Sequence, residues 1–150
     1  SHLGKLVEQA ASRGKPLAVL VLDIDFFKSI NDNHGHDCGD DVLREFAIRV
    51  RKSIRGIDLA CRMGGEEFVV VMPETDMAVA ATVAERLRRK IASEPFPIEQ
   101  GKKKIDVTIS IGIAAMETSH DSAAQLLKRA DQALYRAKRD GRNRVVADAA

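Results

Sequence analysis

A chain of 150 residues, 45% hydrophobic and 31% charged, fits one soluble globular domain with a substantial core. Its 24 basic and 22 acidic residues leave a formal net charge of +2, without the concentrated basic excess of a general nucleic-acid binder. No apolar run approaches the ~20 residues that cross a bilayer and no secretory leader is visible. Cys38 and Cys61 form neither a CxxC pair nor a disulfide framework, so a cytoplasmic, reducing setting without membrane contact is expected.

In chain order, residues 3–13 read as a short helix broken by Gly14 and Pro16. The apolar run 17–22 opens a strand over 17–25, buried on both faces, with Asp23 and Asp25 on one side and Ile24 on the other. A short helix over 26–33 precedes a loop at His34-Gly35-His36. Asp40 or Asp41 then opens a long helix whose Val42, Leu43, Phe46, Val50 and Ile54 form one apolar stripe. Residues 59–63 and 68–72 form a hairpin around Gly64-Gly65. A second amphipathic helix covers 77–93, with Val79, Val83, Leu87 and Ile91 at four-residue spacing. Residues 105–116 read as a strand, 122–139 as a helix closed by a left-handed Gly141, and 142–146 as a last strand.

Two acidic positions stand out. At the hairpin tip, Gly64 and Gly65 permit positive φ and let a phosphate approach the backbone, and the adjacent Glu66 and Glu67 invite a hard cation such as Mg²⁺. The same residues also suit an ordinary turn. At the end of the first strand, Asp23 and Asp25 are costly to bury unpaired. Either alone fits a solvated strand end or a helix cap; beside a second acidic tip, a shared metal is the better reading.

Several motifs now fall into register. Asp23-Ile24-Asp25-Phe26-Phe27-Lys28, Asn31-Asp32, His34-Gly35-His36, Gly39-Asp40 and Gly64-Gly65-Glu66-Glu67-Phe68 resemble the GGDEF family in its GGEEF form, as does the run from Tyr135 to Asn143. That family comprises the diguanylate cyclases, which join two GTP molecules into cyclic di-GMP. The likeness covers residues 16 to the end and lacks the family's usual Asp-x-Leu-Thr-Gly-Leu-x-Asn-Arg stretch. It implies a GGDEF domain over 1–150, shorter at its N-terminus than the family pattern, with an upstream sensor or receiver domain in the full-length protein. The implied fold is α+β, ferredoxin-like and similar to nucleotide cyclases and polymerase palms, with a mostly antiparallel sheet surrounded by helices.

The resemblance also implies roles. Asp23, the Ile24 carbonyl, Glu66 and Glu67 would hold Mg²⁺ or Mn²⁺, and Glu66 would act as general base, although a bound cation lowers a carboxylate's basicity. Lys28 would offset transition-state charge. Asn31, His36 and Asp40 would contact the nucleobase or ribose, Gly65 would line the substrate, and Lys138 and Arg142 would take the β- and γ-phosphates. Arg55 and Asp58 match an inhibitory Arg-x-x-Asp site for the product, with Arg86 as its secondary arginine. Catalysis would need a homodimer presenting two GTP molecules head to tail. The alternatives are a catalytically silent cyclic di-GMP receptor and a GTP-binding regulatory module.

Overall fold

The structure, a computed structural model, describes residues 2–117 and 121–148. Its centre is β1 (Leu17–Ile24), in which all eight residues are buried. The sheet runs β2-β3-β1-β6-β7, with β2 (Leu59–Gly64), β3 (Glu67–Pro73), β6 (Ile109–Ala115) and β7 (Val145–Ala147). Among the described residues only the β6–β7 pairing is parallel; β1 pairs antiparallel with both β3 and β6.

Because β1 is central, its alternate residues serve two cores. Leu20, Leu22 and Ile24 pack on one face with Phe46, Val50, Leu87 and Ile91, from α3 (His36–Ser53) and α4 (Met77–Ser93). Val19 and Val21 pack on the other with Val7, Leu126, Ala130 and Leu134, from α1 (His2–Arg13) and α5 (Ala123–Arg139). The result is the α+β architecture implied by the resemblance: a mostly antiparallel sheet between helices. No helix among the described residues is long and apolar enough to cross a membrane.

The differences from the sequence reading have local causes. Phe26 adopts φ 57 and stays outside α2 (Phe27–His34), so the chain turns sharply at the end of β1. The His34–His36 loop reduces to Gly35 (φ 89), and α3 starts at His36 rather than at Asp40 or Asp41. Gly39 therefore lies inside the helix, where Asn31 crosses it: a Cβ on Gly39 would stand 1.8 Å from Asn31 Oδ1. On α4 the buried line is Ala80, Ala84, Leu87 and Ile91, and Val79 is 48% exposed. The small alanines let the helix lie close to the sheet, which a reading weighted to large apolar residues misses.

The expected strand over 105–116 divides. Lys103–Ile105 is β5, paired with an unforeseen β4 (Phe96–Ile98), and β6 starts only at Ile109. Arg49 explains why the chain turns into β4. Its guanidinium donates to Glu45 and to the Glu94 and Pro95 carbonyls, and lies 3.9 Å over the Phe96 ring, so the end of α4 is capped from α3. Ser122 and Gln125 form a reciprocal capping box at the start of α5. Past its far end Gly141 has a positive φ of 126, as expected, and the positive-φ backbone runs on through Arg142 (φ 64) and Asn143 (φ 47). That corner delays β7 to Val145.

One close approach sets the height of α5. A Cβ on Gly112 of β6 would stand 2.2 Å from the Ala130 carbonyl oxygen and 2.3 Å from the Leu134 nitrogen. Helix and sheet meet there backbone to backbone, which brings the C-terminal turn of α5 down to the end of β1.

Candidate active site

In the ladder Asp23 lies opposite Glu67 of β3 on one side and Ser110 of β6 on the other. Its side chain is 7% exposed. Lys138, from the last turn of α5, donates to Asp23 Oδ2, while Oδ1 is buried with no hydrogen-bond partner among the described residues. Burial raises the Asp23 pKa, the Lys138 hydrogen bond and charge oppose that rise, and Glu66 and Asp25 add to it. Glu67 is raised too, first by burial and then by the charges of Asp131 and Asp23. Asp131 is itself raised by burial, with Lys138 opposing. Five carboxylates thus bear on one another, with Lys138 opposing them, the arrangement expected of a site that receives positive charge.

The hairpin brings its acids to this point through a bulge. The β2–β3 register shifts between Arg62 and Gly64, and Gly64 (φ 139) and Gly65 (φ 52) occupy backbone regions that suit glycine. Arg62 Nε donates to the Gly65 carbonyl at 2.8 Å, bracing the tip. At its base Phe68 meets Phe46 edge-on, with centroids 4.9 Å apart. The described residues hold no ready cluster of three His, Cys, Asp or Glu side chains in ligating arrangement. The bare Asp23 oxygen and the mutual repulsion of the acids nevertheless fit a hard cation, whose arrival would draw the carboxylates together.

Around this centre, Asn31 presents a buried Oδ1 without a partner, held above Gly39. Asp40 stands at the rim of an open cleft of about 350 Å³, floored by Leu43, Ala47 and Phe68 and bounded by Arg62 of the hairpin. Lys28 and His36 are exposed on α2 and α3. Arg142 projects from the left-handed corner, its guanidinium 4.8 Å above the exposed Phe26 ring. Lys138, expected on phosphate, donates here to Asp23.

Asp25 acts on the acidic group through its charge, while its own oxygens are bonded elsewhere. It is 4% exposed, and its carboxylate accepts from Thr108 Oγ1, Ser110 Oγ and the Asn143 backbone. Away from this end, Arg55 grips Asp58 in a two-pronged pair at 2.8 and 3.1 Å and also donates to Pro73 and Thr75. The Asp58 side chain is fully buried, whereas that of Arg55 is 46% exposed. Arg86 is exposed on α4 and bonds to neither of them. Sequence reasoning missed Asp131, whose signal was its position seven residues, two helical turns, before Lys138.

The family model described as "Diguanylate cyclase, GGDEF domain" matches residues 1–144. This chain belongs to the GGDEF family. The response regulator PleD of Caulobacter vibrioides is 52% identical over 149 residues, covering 99% of this GGDEF domain and 33% of PleD. The GGDEF domain of DgcB from Caulobacter crescentus, solved in complex with c-di-GMP, superposes with a TM-score of 0.94 at 35% identity, covering 99% of this chain and 85% of that one. An active GGEEF domain of a diguanylate cyclase from Vibrio cholerae gives a TM-score of 0.90 at 35% identity, covering 99% of this chain and 93% of that one. The domain spans about a third of the length of the curated relatives it matches.

Proposed function

We propose that this GGDEF domain condenses two GTP molecules into cyclic di-GMP and two pyrophosphates, as the catalytic part of a longer cytoplasmic protein with an upstream sensor or receiver domain. The observation that carries the reading is the bare, buried Asp23 oxygen at the end of β1, directly across the ladder from the GGEEF tip. Asp23, the Ile24 carbonyl, Glu66 and Glu67 would hold Mg²⁺ or Mn²⁺, which relieves charge at the α-phosphate and stabilises the departing pyrophosphate.

The residues divide the remaining work. Glu66 accepts the proton of the 3′-hydroxyl as its oxygen bonds to the α-phosphorus of the other GTP and the bond to pyrophosphate breaks. Lys28 offsets the charge that develops. Lys138 exchanges Asp23 for the β- and γ-phosphates, which Arg142 grips as a fork. Gly65 lets the phosphates come near the hairpin backbone. Asn31 and Asp40 accept from guanine N1–H and the exocyclic amine, with His36 nearby on the same side. Adenine offers one donor where guanine offers two, and an unmet buried contact costs about 1–3 kcal/mol, more for a charged group.

The product is two-fold symmetric, so one half-site is incomplete. A homodimer supplies the second GTP, and reaction then depends on aligned encounter. Arg55, Asp58 and Arg86 form the proposed inhibitory site for cyclic di-GMP, with the exposed part of Arg55 as its entry point.

The test is chromatographic measurement of cyclic di-GMP from GTP and Mg²⁺ across a wide range of protein concentration. Bound product is first stripped with a phosphodiesterase that is then removed. Yield per subunit is expected to rise with concentration, and Glu66→Ala/Glu67→Ala to be silent. No product from a chain dimerised by a fused leucine zipper overturns the reading.

A further inference from the structure

We propose that Asp25 is a positioning residue that aims Arg142 at the triphosphate, acting through the Asn143 backbone; this rests on the reading of Arg142 as a phosphate ligand.

Asp25 is a buried carboxylate bound entirely by neutral groups. Thr108 Oγ1 and Ser110 Oγ donate at 2.7 Å each, and Asn143 N–H donates at 3.0 Å. No lysine or arginine pairs with it among the described residues. Two of these donors, with its own N–H on the Thr108 carbonyl at 2.9 Å, tie it to the start of β6. The third reaches the corner after α5, where a backbone N–H on a carboxylate makes a charge-assisted bond.

That N–H belongs to the peptide joining Arg142 and Asn143, at φ 64 and 47. The rest of the corner is pinned from other directions. Arg142 N–H donates to the Ala137 carbonyl at 2.9 Å, and Asn143 Oδ1 accepts from Arg88 of α4 at 2.8 Å. Asp25 supplies the hold from β1, two residues beyond Asp23. Phe26, the next residue, places its ring 4.8 Å under the Arg142 guanidinium. Asp25 therefore fixes the peptide that launches Arg142 and Phe26 supports its tip, so the distance from Arg142 to Asp23 is set by one short stretch of chain.

The experiment compares binding, with Mg²⁺ present, of GMP and of the α,β-methylene analogue of GTP, whose carbon bridge blocks pyrophosphate departure. Asp25→Ala is expected to weaken the analogue about tenfold and GMP less than twofold, since GMP lacks the phosphates Arg142 would meet. Asp25→Asn is expected to recover binding to within about threefold, because its oxygen can accept from Asn143 while its amide donates to Ser110. In an Arg142→Ala background, Asp25→Ala is expected to add less than twofold. Phe26→Leu, at a position 61% exposed and so without folding risk, is expected to weaken the analogue about threefold.

Equal loss of GMP and analogue in Asp25→Ala overturns the inference, as does an effect that survives in Arg142→Ala. Should Asp25→Ala fail to fold, unaltered analogue binding in Phe26→Leu overturns it. A preference for the analogue that Asp25→Ala and Phe26→Leu keep and Arg142→Ala loses refutes this inference alone. A wild-type chain that binds both equally refutes the phosphate-ligand reading beneath it.

Discussion

Asp23→Asn is expected to lower cyclic di-GMP formation by about 10³-fold or more, equivalent to about 4 kcal/mol of transition-state stabilisation. The same change is expected to leave the thermal midpoint at pH 7 unchanged or higher. The two outcomes share one cause. Burial at the end of β1 disfavours the Asp23 anion more strongly than Lys138 favours it, so its pKa is raised and the folded chain carries a strained charge. Asparagine keeps the shape, removes that charge and leaves Lys138, whose side chain is 35% exposed, free to reach water. Function is lost because a neutral amide is a poor partner for a divalent cation. Initial rates and thermal melts on the same preparations check both outcomes; activity within tenfold of wild type would refute the role given to Asp23.

Gly112→Ala is expected to destabilise the fold by about 3 kcal/mol, at the upper end of overpacking effects. The added methyl would meet the Ala130 carbonyl oxygen at 2.2 Å and the Leu134 nitrogen at 2.3 Å. Both are helix backbone atoms, so no side-chain rotation relieves the clash and α5 must rise from the sheet. Lys138 and the Arg142 corner move with it, so activity should fall at least tenfold even under conditions where the variant remains folded. Urea denaturation reads the first effect and initial rates below the transition read the second. A stability loss under about 1 kcal/mol would show that α5 is not seated as described.

Where apolar runs were long, the sequence was a sufficient guide. Residues 17–22 read as a strand buried on both faces and lie in the central β1, and the helix expected over 77–93 matches α4 at both ends. The motif register carried the site further than periodicity did, because pattern alone does not say that the end of β1 meets the hairpin tip. What stayed hidden depends on contacts across the fold. Asn31 over Gly39 moves the start of α3, and Arg49 beneath Phe96 turns the chain into β4. Asp131 joins the acidic group because Gly112 lets α5 settle, and Asp25 acts there through charge alone because Ser110, Thr108 and Asn143 take its oxygens. Two aspartates two positions apart, one near the end of β1 and one just past it, thus have opposite environments, one short of partners and one fully bonded.

The end of β1 and the GGEEF tip together are expected to receive a divalent cation with the nucleotide. The most direct measurement is an anomalous difference map from crystals grown with Mn²⁺ and the α,β-methylene analogue of GTP. A manganese peak is expected within coordination distance of Asp23 and Glu66, with Lys138 released from Asp23 toward the phosphates. Bound analogue with no peak there, or with Lys138 still on Asp23, would contradict this expectation.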